Sequence, residues 1–267
     1  MLSTAASERN FQSASQASRL RQMAKLVLGM NNSPQSAATA HSPKTDYWLL
    51  PLLAIACVLA WDTQLLTPLK ILVVFFHEGS HALATLLTGG SVLSMHIVPN
   101  QGGEVQSMGG WPIVIISAGY LGSLLWGALI LILAARSSAD HWIMAMLGIG
   151  MLLLTAFYVR NLYGVGFGLL GGVSALASAK FLSTWINDLI LKLIGVVTML
   201  YVPMDIFSDT LARSELRSDA RILAEYLGGT TMFWGALWLF ISAIVIPAAL
   251  YLGLKPRKAR LQGEFKP

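Results

Sequence analysis

The sharpest chemical signal in the chain is His77-Glu78-Gly79-Ser80-His81. Two histidines at i and i+4 project from one face of a helix about a turn apart, so both imidazoles can ligate one Zn²⁺ ion. The glutamate beside the first can then serve as general base toward a water that the ion activates, which is hydrolytic chemistry. With five His and six Glu in 267 residues, the pattern H-E-x-x-H arises by accident about 0.002 times per chain of this composition. It also lies inside an apolar run, 69–88, where ionisable side chains are costly without a partner and mark functional positions. The competing readings are a His-Glu pair that only cross-links helices and a proton relay in a transporter. Neither requires this spacing.

A hydrolytic zinc site takes a third protein ligand and leaves its fourth position to water. His96, His141, Asp188, Asp205 and Asp209 lie in or beside apolar segments and are the candidates. His141 and Asp188 open segments, where interface or first-turn roles account for them. His96 sits in a Gly-rich loop, where a satisfied loop histidine is the plainer reading. Asp205 follows the strongly apolar stretch 189–204 and shares a helical face with Asp209, so two carboxylates look toward one point. Asp209 also fits a solvated helix end.

What positions these residues is membrane-embedded helix. Hydrophobic residues make up 55% of the chain and charged ones 12%, against roughly a quarter charged in soluble domains. With mean hydropathy at +0.64, a soluble enzyme is excluded and an all-α polytopic membrane bundle remains. The net charge of +5 does not mean nucleic acid: of 18 Lys and Arg, five fall in 1–46 and five in 255–267. Basic ends on an apolar body read as cytoplasmic membrane flanks. Cys57, the one cysteine, permits no internal disulfide and no Cys-based metal site.

Residues 1–46 read as a disordered, Ser/Ala-rich basic tail on the cytoplasmic side, 47–254 as the membrane-embedded domain, and 255–267 as a basic C-terminal tail. Apolar runs fall at 47–61, 69–88, 111–135, 141–159, 161–178, 185–207 and 230–254, which predicts six to seven spans. Between the second and third lies Gly89–Gly110, free of Lys and Arg. Its β-prone piece Ser91–Val98 suggests a short strand pair, re-entrant and packed near the metal site, since such backbone is tolerated at depth only against protein or a watery cavity. Gly164, Gly166 and Gly168 predict close helix packing, not a nucleotide loop.

On these residues the chain resembles the site-2-protease class of intramembrane zinc metallopeptidases, in its small B-like branch without a PDZ insertion. The resemblance rests on Phe76-His77-Glu78-Gly79-Ser80-His81-Ala82 with Leu87-Thr88-Gly89-Gly90, then Ala118-Gly119-Tyr120-Leu121-Gly122. It continues through Met204-Asp205-Ile206-Phe207-Ser208-Asp209, Ser218-Asp219-Ala220 and Trp234-Gly235. It implies His77, His81 and Asp205 as zinc ligands, with Asp209 as the substitute for Asp205, and Glu78 as the base. Gly79-Ser80 and Val202-Pro203-Met204-Asp205 depart from the strings usual in such proteins. A depth argument is independent of the resemblance: His81 and Asp205 each lie eight residues, about 12 Å, inside their expected helix ends at Gly89 and Arg213.

The resulting expectation is a zinc-dependent endopeptidase that hydrolyses peptide bonds in or near the transmembrane segments of membrane-protein substrates in the lipid bilayer, with no nucleic-acid partner. A strand edge of the Gly-rich loop would receive the unwound substrate. The rival is a non-catalytic metal-binding scaffold or an ion or proton transporter. A pump should bury acids in several spans, and the runs 111–135 and 141–159 contain none.

Overall fold

The computed structural model describes residues 43–213 and 217–254, with side chains from Trp48 onward. Of the tails expected at 1–46 and 255–267, residues 1–42 and 255–267 fall outside the described residues, as does the side of the membrane on which they lie. Helix α1, Pro43–Leu59, begins inside the segment read from sequence as tail. Its apolar part, Trp48–Leu59, is too short to span a bilayer.

After a 3₁₀ turn, Gln64–Leu66, comes α2, Thr67–Leu87. Strands β1, Ser91–Ile97, and β2, Gly103–Met108, follow as an antiparallel pair. Helices α3, Pro112–Arg136, α4, Asp140–Tyr158, α5, Leu162–Phe181, and α6, Thr184–Phe207, come next. A π-helical turn, Ser208–Ala212, extends α6. The short α7, Asp219–Leu227, and α8, Thr231–Leu254, complete the fold. Among the described residues six helices are long and apolar enough to cross a membrane: 64–87, 112–136, 140–158, 162–181, 184–212 and 231–254. Leu125, Leu170, Val173, Phe240 and Ile244 are exposed, as lipid-facing side chains of such helices are. Among the described residues the protein is a multi-pass helical membrane bundle with one β-hairpin.

Helices in lipid associate through close backbone approach, and small residues supply it. Helix α3 packs on α2 where Gly122 faces Ser80; a Cβ there would come within 2.5 Å of the Ser80 Cβ and Oγ. It packs on α6 through Gly127 and Gly195, the latter leaving 3.0 Å from a notional Cβ to the Gly127 carbonyl oxygen. Helices α4 and α5 meet at Gly148 and Gly172, each against the other's carbonyl oxygen, and at Gly168 against Thr155. Of the three glycines expected to pack closely, Gly168 does so; Gly164 lies against Asn161 and Val159, and Gly166 faces open space.

Candidate metal centre

The register of α2 puts His77 and His81 on one face, and their rings meet edge to face at 4.8 Å between centroids. What joins them comes from far along the chain. Asp219 Oδ2 lies 3.0 Å from His77 Nε2 and 3.1 Å from His81 Nε2. Helix α7 delivers it: Ser218 caps the helix by accepting the Arg221 N–H, and Leu223, one turn beyond Asp219 on the same face, is fully buried. The face that carries Leu223 into the core therefore carries the Asp219 carboxylate inward too.

These three donor atoms lie within 4.8 Å of one another. Tetrahedral ligands at zinc's usual 2.0–2.2 Å stand about 3.4 Å apart, and the two carboxylate–imidazole distances of 3.0 and 3.1 Å fall a few tenths of an ångström short of that spacing. The surroundings fit the same role. His81 Nδ1 donates to the Ile115 carbonyl at 2.7 Å, which fixes the tautomer and leaves Nε2 bare for a metal. Gly119 of α3 stands directly over the pair; a Cβ there would touch His77 Nε2 and approach His81 Nε2 to 2.5 Å. Only glycine leaves that space open. Burial disfavours the charged form of Asp219, yet His81 and His77 beside it more than compensate and hold the carboxyl well below the usual range. An anionic oxygen between two imidazole nitrogens is a donor set suited to a divalent ion.

Glu78 is buried, 5% exposed, and the hairpin comes down onto it. A Cβ on Gly103 would stand 2.5 Å from the Glu78 Oε1 and Cγ, so the β2 backbone touches the carboxylate. The Gly-rich loop is thus a strand pair packed against the site, in accordance with its sequence. Both sides border a cavity of about 990 Å³, into which His77, Glu78, His81, Asp219 and β2 face.

The other sequence candidates sit apart from the three-donor group. Asp205 and Asp209 line the same cavity. Asp209 accepts from the Tyr120 hydroxyl at 2.7 Å and pairs with Arg213 at 2.8 Å, and the Tyr120 ring stands edge-on to His77. His96 lies on β1 opposite Glu104. His141 is held by the Ala179 carbonyl and the Thr184 hydroxyl. Asp188 pairs with the buried Lys192 at 2.9 Å. Asp219 was given no role from sequence, although Ser218-Asp219-Ala220 was among the resembling strings. The signal that points to it is an acid in the first turn of an amphipathic helix, on the same face as Leu223 rather than opposite it.

No curated protein and no solved structure gives a match to this chain. The family model described as Peptidase M50B-like matches residues 50–249, a stretch that holds all six spans except the end of the last and every residue of the three-donor group and its neighbouring glutamate. With a match that covers well over half of its length, the chain belongs to the Peptidase M50B-like family, as a multi-pass membrane peptidase.

Proposed function

We propose that the protein is a zinc-dependent intramembrane endopeptidase whose metal is held by His77, His81 and Asp219, with Glu78 as the base. The observation that carries this reading is the convergence of two Nε2 atoms and one carboxylate oxygen beside a buried glutamate in a cavity. A zinc ion there supplies Lewis-acid polarisation of the scissile carbonyl and acidifies water. Glu78 takes the proton of the attacking water on its carboxylate and returns it to the leaving amine. The β2 backbone at Gly103 covers the glutamate, which is buried.

The substrate must arrive unwound, because an intact helix keeps its peptide carbonyls hydrogen-bonded. The hairpin supports a site for an extended segment. The outer edge of β1 is covered by 159–161, while β2 has no second strand partner among the described residues and borders the cavity. A strand added to β2 would run past Glu78. Asp205 and Asp209 support a lesser role near the metal, as residues that face the bound segment or steady the Tyr120 hydroxyl.

The test is metal content and cleavage in detergent, wild type against Glu78→Gln. About one zinc per chain in both, with single-span test proteins cut only by the wild type, is the expected outcome. Cleavage by Glu78→Gln at the wild-type rate would refute the reading.

A further inference from the structure

Beyond the metal ligands and the base, one side chain outside the site bonds directly to the hairpin. The Asn161 amide makes two hydrogen bonds to a single residue of β1: Nδ2 donates to the Ile97 carbonyl at 2.6 Å, and Oδ1 accepts the Ile97 N–H at 3.1 Å. A side-chain amide thus occupies the place of the next strand's peptide group. The two residues before it extend the seam, since the Arg160 N–H donates to the Met95 carbonyl at 3.0 Å and Val159 bridges to Met95. Ile97 is the residue whose cross-strand partner is Gly103, and Gly103 is the residue whose backbone lies on the Glu78 carboxylate.

Two features show that the side chain is committed to the strand. Asn161 stands at the N-cap of α5, where an asparagine ordinarily accepts from the helix's own first N–H groups, yet it makes no capping bond. One turn on, Gly164 leaves the room it occupies; a Cβ there would come 2.6 Å from Asn161 Oδ1.

We propose that Asn161 is a positioning residue of the peptidase site. Its amide clamps Ile97 and, through the Ile97–Gly103 pair, sets the distance at which the β2 backbone stands from Glu78. This rests on the reading of Glu78 as the base.

The test compares wild type, Asn161→Leu and Asn161→Asp by hydrogen exchange over 91–108, by bound zinc, and by turnover of a single-span test protein. Each bond lost should speed exchange of the hairpin about fivefold, so about twenty-five-fold in Asn161→Leu. Asn161→Asp keeps the acceptor but sets a second carboxylate oxygen against the Ile97 carbonyl, so its hairpin should exchange at least as fast as in Asn161→Leu; it carries the test should the leucine variant fail to fold. Turnover should drop about 10- to 100-fold, as for a displacement near 1 Å at a reacting group, with zinc retained. Unchanged hairpin exchange would overturn the proposal, and so would faster exchange with wild-type turnover. Loss of zinc together with faster exchange in α2, α3 and α6 would also overturn it, since Asn161 would then hold the bundle and not the hairpin. Wild-type cleavage by Glu78→Gln would remove the reading beneath it, and is told apart because that variant leaves hairpin exchange unchanged.

Discussion

Gly119 should be the most sensitive position in the protein that bears no functional group. A methyl there would stand 2.5 Å from His81 Nε2 and 2.6 Å from His77 Cε1, and closer still to His77 Nε2. Ordinary contact begins near 3.4 Å, so either α3 retreats by about 0.9 Å or the imidazoles turn away. The helix has little room to retreat, because Gly122 faces Ser80 on one side and Gly127 meets α6 on another. Without metal the rings can rotate and relieve the clash; with metal they cannot, so the strain falls on binding. Overpacking of this kind costs about 1–3 kcal/mol, which converts to a 5- to 150-fold loss of zinc affinity. The assay is competition for zinc against a chelator of known affinity in detergent. Gly150→Ala and Gly166→Ala are the controls, since neither position has an atom within 4 Å of the added methyl. They should bind zinc as the wild type does and gain about 0.5–1 kcal/mol of helix stability. Wild-type zinc affinity in Gly119→Ala would refute the placement of the metal between these two nitrogens.

Asp219→Ala should release zinc to a chelator that the wild type resists, while Asp205→Ala should weaken binding by no more than the 10- to 100-fold of an outer-shell group; equal loss in both, by metal analysis after dialysis, would mean that Asp219 is not the distinguishing ligand. Gly103→Ala should keep zinc and lose at least tenfold in turnover, because the new methyl displaces the Glu78 carboxylate; full activity would show that the hairpin backbone does not position the base. Gly195→Ala, whose Cβ meets the Leu131 Cβ at 2.9 Å and the Gly127 carbonyl oxygen at 3.0 Å, should destabilise the α3–α6 packing by about 1–3 kcal/mol, read as an earlier thermal unfolding transition with zinc bound.

How much of this was legible in the sequence depends on how far each relation reaches along the chain. His77 and His81 are one turn apart, so helical periodicity alone brought them to one face. The spans followed from apolar run lengths, although the run at 47–61 became a helix whose apolar part is too short to cross. The Gly-rich loop was legible as a strand pair because its composition excludes helix. Asp219 was not legible in the same way: it meets His77 across 142 residues. The depth argument singled out Asp205 by treating α6 as a straight ruler, and Asp205 does reach the cavity. Depth, however, cannot say which of several acids at the right level completes a triangle with two nitrogens. That is decided by α7, which follows the π turn of α6 along the chain and docks by burying Ala220 and Leu223. The docking is set by packing against α3 and α8, which no window of local sequence contains. Asn161 was silent for the same reason. Read locally it is a helix N-cap, and only the arrival of β1 beside it turns its amide to Ile97.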